Sequence, residues 1–262
     1  GLNYLVLGFV NGIACGFSIP ISWTFGAKDY VEMRRYTANA VWLSVFFAAV
    51  LTVVTVAMTR SILVWTNTPD NIIDLADIYI RTIFWGIPFT LLYNVTSALM
   101  RALGDSKSAL YFLMISSVLN IGGDLFFVEV LDWGSEGCAL STVLSEALCC
   151  VFCLIYIRWK VPVLQLGRRW FIFDSSLLKK TISYGWTSAM QQATVQLGKI
   201  AIQAIVNTMG VSAMAAFAAA GRIDDFAYVP QQNIGHAMTT FMAQNEGAGK
   251  KDRVKLSLIH IS

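Results

Sequence analysis

Seven runs of mostly apolar residues recur along this chain, at positions 2–24, 41–59, 78–100, 109–128, 137–157, 182–209 and 211–243. About 20 such residues, wound as a helix, cross a bilayer core ~30 Å thick. A helix also satisfies its own backbone polar groups where no water can reach them. The pattern therefore predicts an all-α membrane protein built as a polytopic helical bundle. Composition agrees, because 13% charged residues is half the roughly 25% of a soluble domain and too few to coat a globule of this size. The seventh run is 33 residues long, roughly 50 Å as a helix, so it must bend, tilt or project into water. Pro230, in its second half, is the expected kink.

The basic residues fall on alternate loops. Lys28, Arg34 and Arg35 follow the first run, Arg101 and Lys107 the third, and Arg158, Lys160, Arg168, Arg169, Lys179 and Lys180 the fifth. Lys250, Lys251, Arg253 and Lys255 follow the seventh, so fifteen of the nineteen basic residues lie on one side. The opposite loops, 67–71 and 129–136, are short and acidic, with only Arg60 and Arg81 beside them. Excess Lys and Arg marks cytoplasmic loops, which predicts a multi-pass protein of the plasma membrane with these loops inside the cell. The connection 158–181 mixes its cations with Trp159, Trp170, Phe171 and Phe173, a composition suited to the lipid headgroup level. A net charge of +3 gives no reason to expect nucleic acid. The spacing Cys150-Val-Phe-Cys153 on an apolar run, with no His or second pair nearby, reads as small buried residues and not as a metal site.

"TFGAKD" at 24–29 is echoed by "NEGAGKKD" at 245–252, with Gly26 and Gly247 separated by six runs. Such spacing fits a transporter made of two parallel halves. "ISWTFGAKD" (21–29), "MRALGDSKSAL" (100–110), "LNIGGDLFFV" (119–128), "GCALSTVLSE" (137–146) and "AAGRIDDFAYVPQQNIGHAMTTFMAQNEGAGKKDR" (219–253) occur in the order expected of the multidrug and toxic compound extrusion (MATE) transporters. The chain resembles that family from about Leu2 to Lys255, most closely its DinF-like branch. The resemblance implies twelve helices in two lobes, of which this chain carries helices two to eight. Residues 1–157 would then form the first lobe, 158–181 a cytoplasmic connection and 182–255 the start of the second lobe. The chain starts inside an apolar run without Met and reads as a fragment. "LSLIHIS" (256–262) does not resemble the family and reads as a non-native tail.

Asn120 and Asp124 are four residues apart and share one helix face, with Gly122 and Gly123 between them. A carboxylate inside the bilayer costs at least ~2.5 kcal/mol and is normally directed at a partner or a water-filled cavity. Two readings stand: a structurally bonded Asp near the outer helix end, or a carboxyl that takes up and releases a cation. The resemblance implies the second, because this "N-x-x-x-D" matches the cation-coupling position of the family's first lobe. It also implies a partner Asp on the family's first helix, ahead of Gly1. The sixth run carries no carboxylate where the NorM-like branch has an acidic residue, which favours the DinF-like branch.

Gln192, Gln196 and Lys199 form a polar stripe at i, i+4 and i+7, beside Gln191. The seventh run adds Arg222, Asp224, Asp225, Tyr228, Gln231 and Gln232, with Arg222 and Asp225 spaced as an i, i+3 pair. These residues either neutralise one another between helices or line a polar substrate cavity made of Gln192, Gln196, Lys199, Arg222, Asp225 and Tyr228. Glu146 reads as a buried pairing partner or a cavity residue. His236 lacks companions for a metal site and reads as a packing residue, and Gly12 with Gly16 reads as a close helix contact. No GxSxG, HExxH, phosphate-binding loop or Cys/His ligand set occurs. The expectation is a transporter and not an enzyme, with no cofactor or metal, coupled to H⁺ or Na⁺ and exporting amphipathic, often cationic drugs or metabolites by alternating access. Its expected partners are membrane lipid and a small-molecule substrate, with no nucleic acid and no obligate protein partner. A lipid-linked oligosaccharide flippase of the same superfamily is the alternative, kept open by Lys199 and Arg222. An intramembrane enzyme or a seven-helix receptor is the alternative from another class.

Overall fold

A computed structural model describes residues 2–65, 73–167, 170 and 174–261. Its helices are α1 (Leu2–Gly26), α2 (Tyr30–Trp65), α3 (Ile73–Trp85), α4 (Ile87–Ala102), α5 (Ser106–Leu125), α6 (Gly134–Lys160), α7 (Ser175–Asn207), α8 (Val211–Gly247) and α9 (Lys251–Ile261). No strand occurs among the described residues, so the predicted all-α class holds. The acidic loop expected at 67–71, and Arg168, Arg169, Phe171 and Phe173, lie outside the described residues.

The seven expected spans need three corrections. The third is two helices, α3 and α4, bent by 42° at Gly86. Pro88 enters α4 in its first turn, where its missing N–H costs nothing but a preceding helix cannot run straight through. The fourth ends in a π-helical turn at Phe126–Val130, with Leu131 N–H donating to Phe126 C=O at 3.2 Å. The sixth and seventh, α7 and α8, are 33 and 37 residues long but not apolar enough to count as spans by composition. Four helices among the described residues qualify, or five if the bent pair is one span. The physical reason is the polar content of α7 and of Arg222–His236 in α8, which lowers the average even where one face is apolar. Pro230 lies inside α8, which remains one helix across it.

The chain forms two compact units, residues 34–178 and residues 1–33 with 179–262. In the first, α6 is the central helix, packed against α3, α4 and α5. Its inner stripe is small: Ala139, Ser141, Ser145, Cys149, Cys150 and Cys153 are all buried. Small side chains let helices approach where lipid supplies no hydrophobic drive for association. The Cys149 thiol donates to Phe112 C=O of α5 at 3.2 Å, so the cysteines serve as packing residues. Arg34 of α2 reaches the connection after α6, donating to Val163 C=O at 3.0 Å and lying 5.2 Å from the Trp170 ring centre.

In the second unit α1 is the wedge. Val10, Ile13, Ala14, Phe17 and Ile21 are buried at helical spacing. A Cβ at Gly12 would stand 2.6 Å from Ala189 Cα and 2.7 Å from Ser188 O of α7, so Gly12 and Gly16 do form the expected close contact. At the other end α1 meets α8 reciprocally. A Cβ on Gly26 would strike the Gln244 carbonyl, and one on Gly247 would strike the Trp23 carbonyl. Each glycine thus packs on the carbonyl three residues before the other, which makes the sequence echo a local two-fold contact.

The same turn closes α1, α4 and α8. Asp29 N–H donates to Thr24 C=O, Asp105 N–H to Met100 C=O and Lys250 N–H to Asn245 C=O, at 3.0, 2.9 and 2.8 Å. In each a left-handed residue intervenes: Lys28, Gly104 or Gly249. This is the six-to-one hydrogen bond of a Schellman stop, and it sits at the three basic helix–helix turns.

Candidate functional site

The polar cluster of the first unit is built by α5 against α6. Asn120 Nδ2 donates to the Thr142 hydroxyl at 3.2 Å and to the Ser141 hydroxyl at 3.4 Å, and Ser141 donates back to Asn120 C=O at 2.9 Å. Gly123 permits this approach, since a Cβ there would collide with Ser141 Oγ. The Asn120 amide is therefore held by side chains of the neighbouring helix and points at it. Asp124 is half-buried, yet its Oδ1 is shielded and has no hydrogen-bond partner among the described residues. A buried oxygen left without a donor carries its full desolvation cost, about 1–3 kcal/mol and more if charged. Two residues later α5 passes into its π turn, a device often found beside functional sites. Asn120 and Asp124 thus share one end of α5 but differ: the first is satisfied and the second is open to a proton, an ion or a donor from elsewhere.

Sequence reasoning missed Ser141 and Thr142 as partners. Both stand in the quoted "GCALSTVLSE", and the available signal was a hydroxyl pair in a run that otherwise needs no polar atoms. Glu146, one turn further along α6, accepts a hydrogen bond from the Thr90 hydroxyl of α4, which bears out its reading as a pairing partner.

In the second unit α7 and α8 are stitched by polar contacts. Lys199 Nζ lies 3.2 Å from Asp225 Oδ1 and 4.7 Å from the Tyr228 ring centre, and Gln232 donates to Gln192 Oε1 at 3.3 Å. Gln196 packs its Cγ against Gly8 of α1. The expected Arg222–Asp225 pair does not form. Arg222 is exposed and makes no ion pair among the described residues, because Asp225 turns across to α7. Both members of the Lys199–Asp225 pair are largely exposed, at 42% and 66%, and exposed pairs contribute little. His236 is half-buried in α8.

At the basic turn between α4 and α5, Asp105 caps α5 by accepting from Ser108 N–H at 3.1 Å. The Tyr156 hydroxyl of α6 donates to Asp105 Oδ2 at 3.0 Å and accepts from the Ser108 hydroxyl at 2.7 Å. Partial burial pushes the Asp105 pKa up, but the hydrogen bonds from Ser108 and Tyr156 outweigh it and hold the carboxyl below its ordinary value.

The MatE family model matches residues 1–126 and 188–261. The chain belongs to the MATE family. Members of this family are integral membrane transporters, not enzymes. The chain is 30% identical to the probable multidrug resistance protein YoeA of Bacillus subtilis (strain 168), over 97% of its own length and 56% of that protein. It is 24% identical to the probable multidrug resistance protein NorM of Thermotoga maritima, over 91% of its own length and 52% of that protein. Among solved structures, a MOP superfamily transporter from Pyrococcus furiosus superposes with a TM-score of 0.92 at 22% identity, over 98% of this chain and 57% of that one. An outward-facing multidrug resistance MATE transporter gives 0.91 at 21%, so these structures share the MATE fold. The chain spans little more than half the length of the curated relatives it matches.

Proposed function

We propose that this chain belongs to a cation-coupled antiporter that exports amphipathic, often cationic drugs or metabolites by alternating access, with H⁺ or Na⁺ as the driving ion. The observation that carries the reading is the Asp124 carboxyl, whose shielded oxygen has no partner among the described residues, beside an Asn120 already anchored to α6. An intramembrane carboxylate is kept at such cost where it serves an ion or a relay. Binding of a cation changes the charge at Asp124 and so changes which packing of α5 on α6 is favoured. Coupling then requires only that ion and drug prefer different states of the transporter. Relatives named as multidrug resistance proteins support the cargo class.

The two-lobe division at 1–157 and 182–255, joined by the basic segment 158–181, is part of this proposal, as are the DinF-like assignment and the cytoplasmic placement of the basic turns in the plasma membrane. The reciprocal Gly26–Gly247 contact supports two parallel repeats. In that arrangement α1 and α8 meet where the repeats touch. Gln192, Gln196, Lys199, Arg222, Asp225 and Tyr228 would line the second repeat's side of the cavity. The flippase alternative wants free basic charge: Lys199 is engaged by Asp225 and Tyr228, whereas Arg222 is exposed and makes no ion pair among the described residues, so Arg222 alone keeps that alternative open.

The test is efflux of a fluorescent lipophilic cation from cells carrying the full-length gene, driven in turn by a proton and a sodium gradient. Wild type should export under one of them and Asp124→Asn should not. Equal export by the two proteins would remove Asp124 from the mechanism.

A further inference from the structure

We propose that Glu146, with the Thr90 hydroxyl, is a second proton-binding site of the transporter, one helical turn along α6 from the Asn120–Asp124 cluster. It rests on the antiport reading above. Glu146 lies near the middle of the 27-residue α6, a helix long and apolar enough to cross a membrane. It is therefore the more deeply placed of the two carboxyls. Thr90, its partner, is itself buried on α4.

No cation pairs with Glu146 among the described residues. The ion pairs among the described residues are Arg60–Asp74, Arg81–Asp77 and Lys199–Asp225, and none involves Glu146. On the elements packed around α6, Asp77 and Arg81 of α3 are closed on each other. Arg101 stands eleven residues beyond Thr90 on α4, roughly 16 Å along the helix, with Tyr93 nearer, and α5 contributes Lys107, Tyr111 and Asp124. Among the described residues the Glu146 carboxyl accepts its hydrogen bond from the Thr90 hydroxyl. An uncompensated buried carboxylate is strongly disfavoured, so a proton is the charge balance this site has available.

The geometry also gives the proton a neighbour. Thr142, which holds Asn120, is one turn from Glu146 on α6, roughly 6 Å along the axis. Ser145 and Ser141 hydroxyls are buried on the same helix. Uptake adds one proton to a Glu146 oxygen, and release returns it to water and leaves the carboxylate. With H⁺ as the driving ion, Asp124 releases its own proton as well when a cationic substrate binds, while the change of transporter state still depends on the charge at Asp124.

Purified full-length transporter, titrated with ethidium in weakly buffered detergent containing a pH-indicator dye, reads protons released per ethidium bound. Glu146→Gln and Asp124→Asn should each release one proton fewer than wild type, and the double variant two fewer. Wild-type release left unchanged by Glu146→Gln overturns the second site while leaving the antiport reading intact. Wild type that binds ethidium and releases no proton refutes both the second site and proton coupling. Should Glu146→Gln not fold, infrared difference spectra between acid and alkaline pH of wild type and Glu146→Asp decide the matter. An ethidium-responsive carboxyl C=O band that moves in Glu146→Asp supports the proposal, and responsive bands identical in the two proteins overturn it.

Discussion

Replacing Gly12 by alanine probes the contact that organises the second unit. The new methyl carbon would lie 2.6 Å from Ala189 Cα, 2.7 Å from Ser188 O and 2.9 Å from Ala189 N. All three are backbone atoms of α7, so no side chain can swing aside. Ordinary carbon contact begins at about 3.4 Å, so α1 and α7 must separate by roughly 0.8 Å along that line, and overpacking of this kind costs about 1–3 kcal/mol. The gain in helix propensity on replacing glycine, about 1 kcal/mol, works the other way and leaves a net loss of roughly 0–2 kcal/mol. Gly198 of the same α7 has nothing within 4 Å of its would-be Cβ, so Gly198→Ala keeps the propensity gain without the clash. Thermal unfolding of the two variants in detergent should therefore move in opposite directions around wild type. A Gly12→Ala protein at least as stable as Gly198→Ala would refute the backbone-to-backbone contact.

Four further outcomes follow from named contacts. Asp105→Ala removes the cap of α5 and should cost about 1 kcal/mol in chemical unfolding, whereas Tyr156→Phe, which leaves the Ser108 N–H bond in place, should cost less. Because the folded Asp105 pKa lies below its ordinary value of 3.8, its contribution is present above that pH and is lost as pH falls through the folded value; the Asp105→Asn protein should lack that acid-side loss when unfolding is followed against pH. Asn120→Ala removes the amide donor from the Ser141 and Thr142 hydroxyls, which keep their own bonds to the residue-120 and Cys138 carbonyls, and should destabilise by about 0.5–1.5 kcal/mol. Lys199→Ala should change stability by less than about 1 kcal/mol in the same assay, since its ion pair is exposed.

How far the sequence reaches depends on whether a feature is local. The helices, the all-α class, the Gly12–Gly16 contact and the Gly26–Gly247 echo are written in periodicity and small residues, and each appears in the fold. Gly86-Ile-Pro88 was equally visible, but an apolar run read only by hydropathy hides the bend. Arg222 and Asp225 illustrate the opposite limit. Their i, i+3 spacing permits a pair, but Lys199, twenty-six residues before Asp225, supplies a tertiary partner that no local spacing encodes. Ser141 and Thr142 were missed for the same reason, because which face of α6 meets Asn120 is decided by how α5 packs and not by either helix alone.

The central claim concerns Asp124, and the most direct measurement is flux in proteoliposomes holding the full-length transporter. An imposed ion gradient of the coupling cation should drive wild type to concentrate a lipophilic cation on one side of the membrane. Asp124→Asn should bind the substrate yet build no gradient, because the residue that distinguishes ion-bound from ion-free states can no longer change its charge. Uphill transport by Asp124→Asn at the wild-type rate would contradict the account.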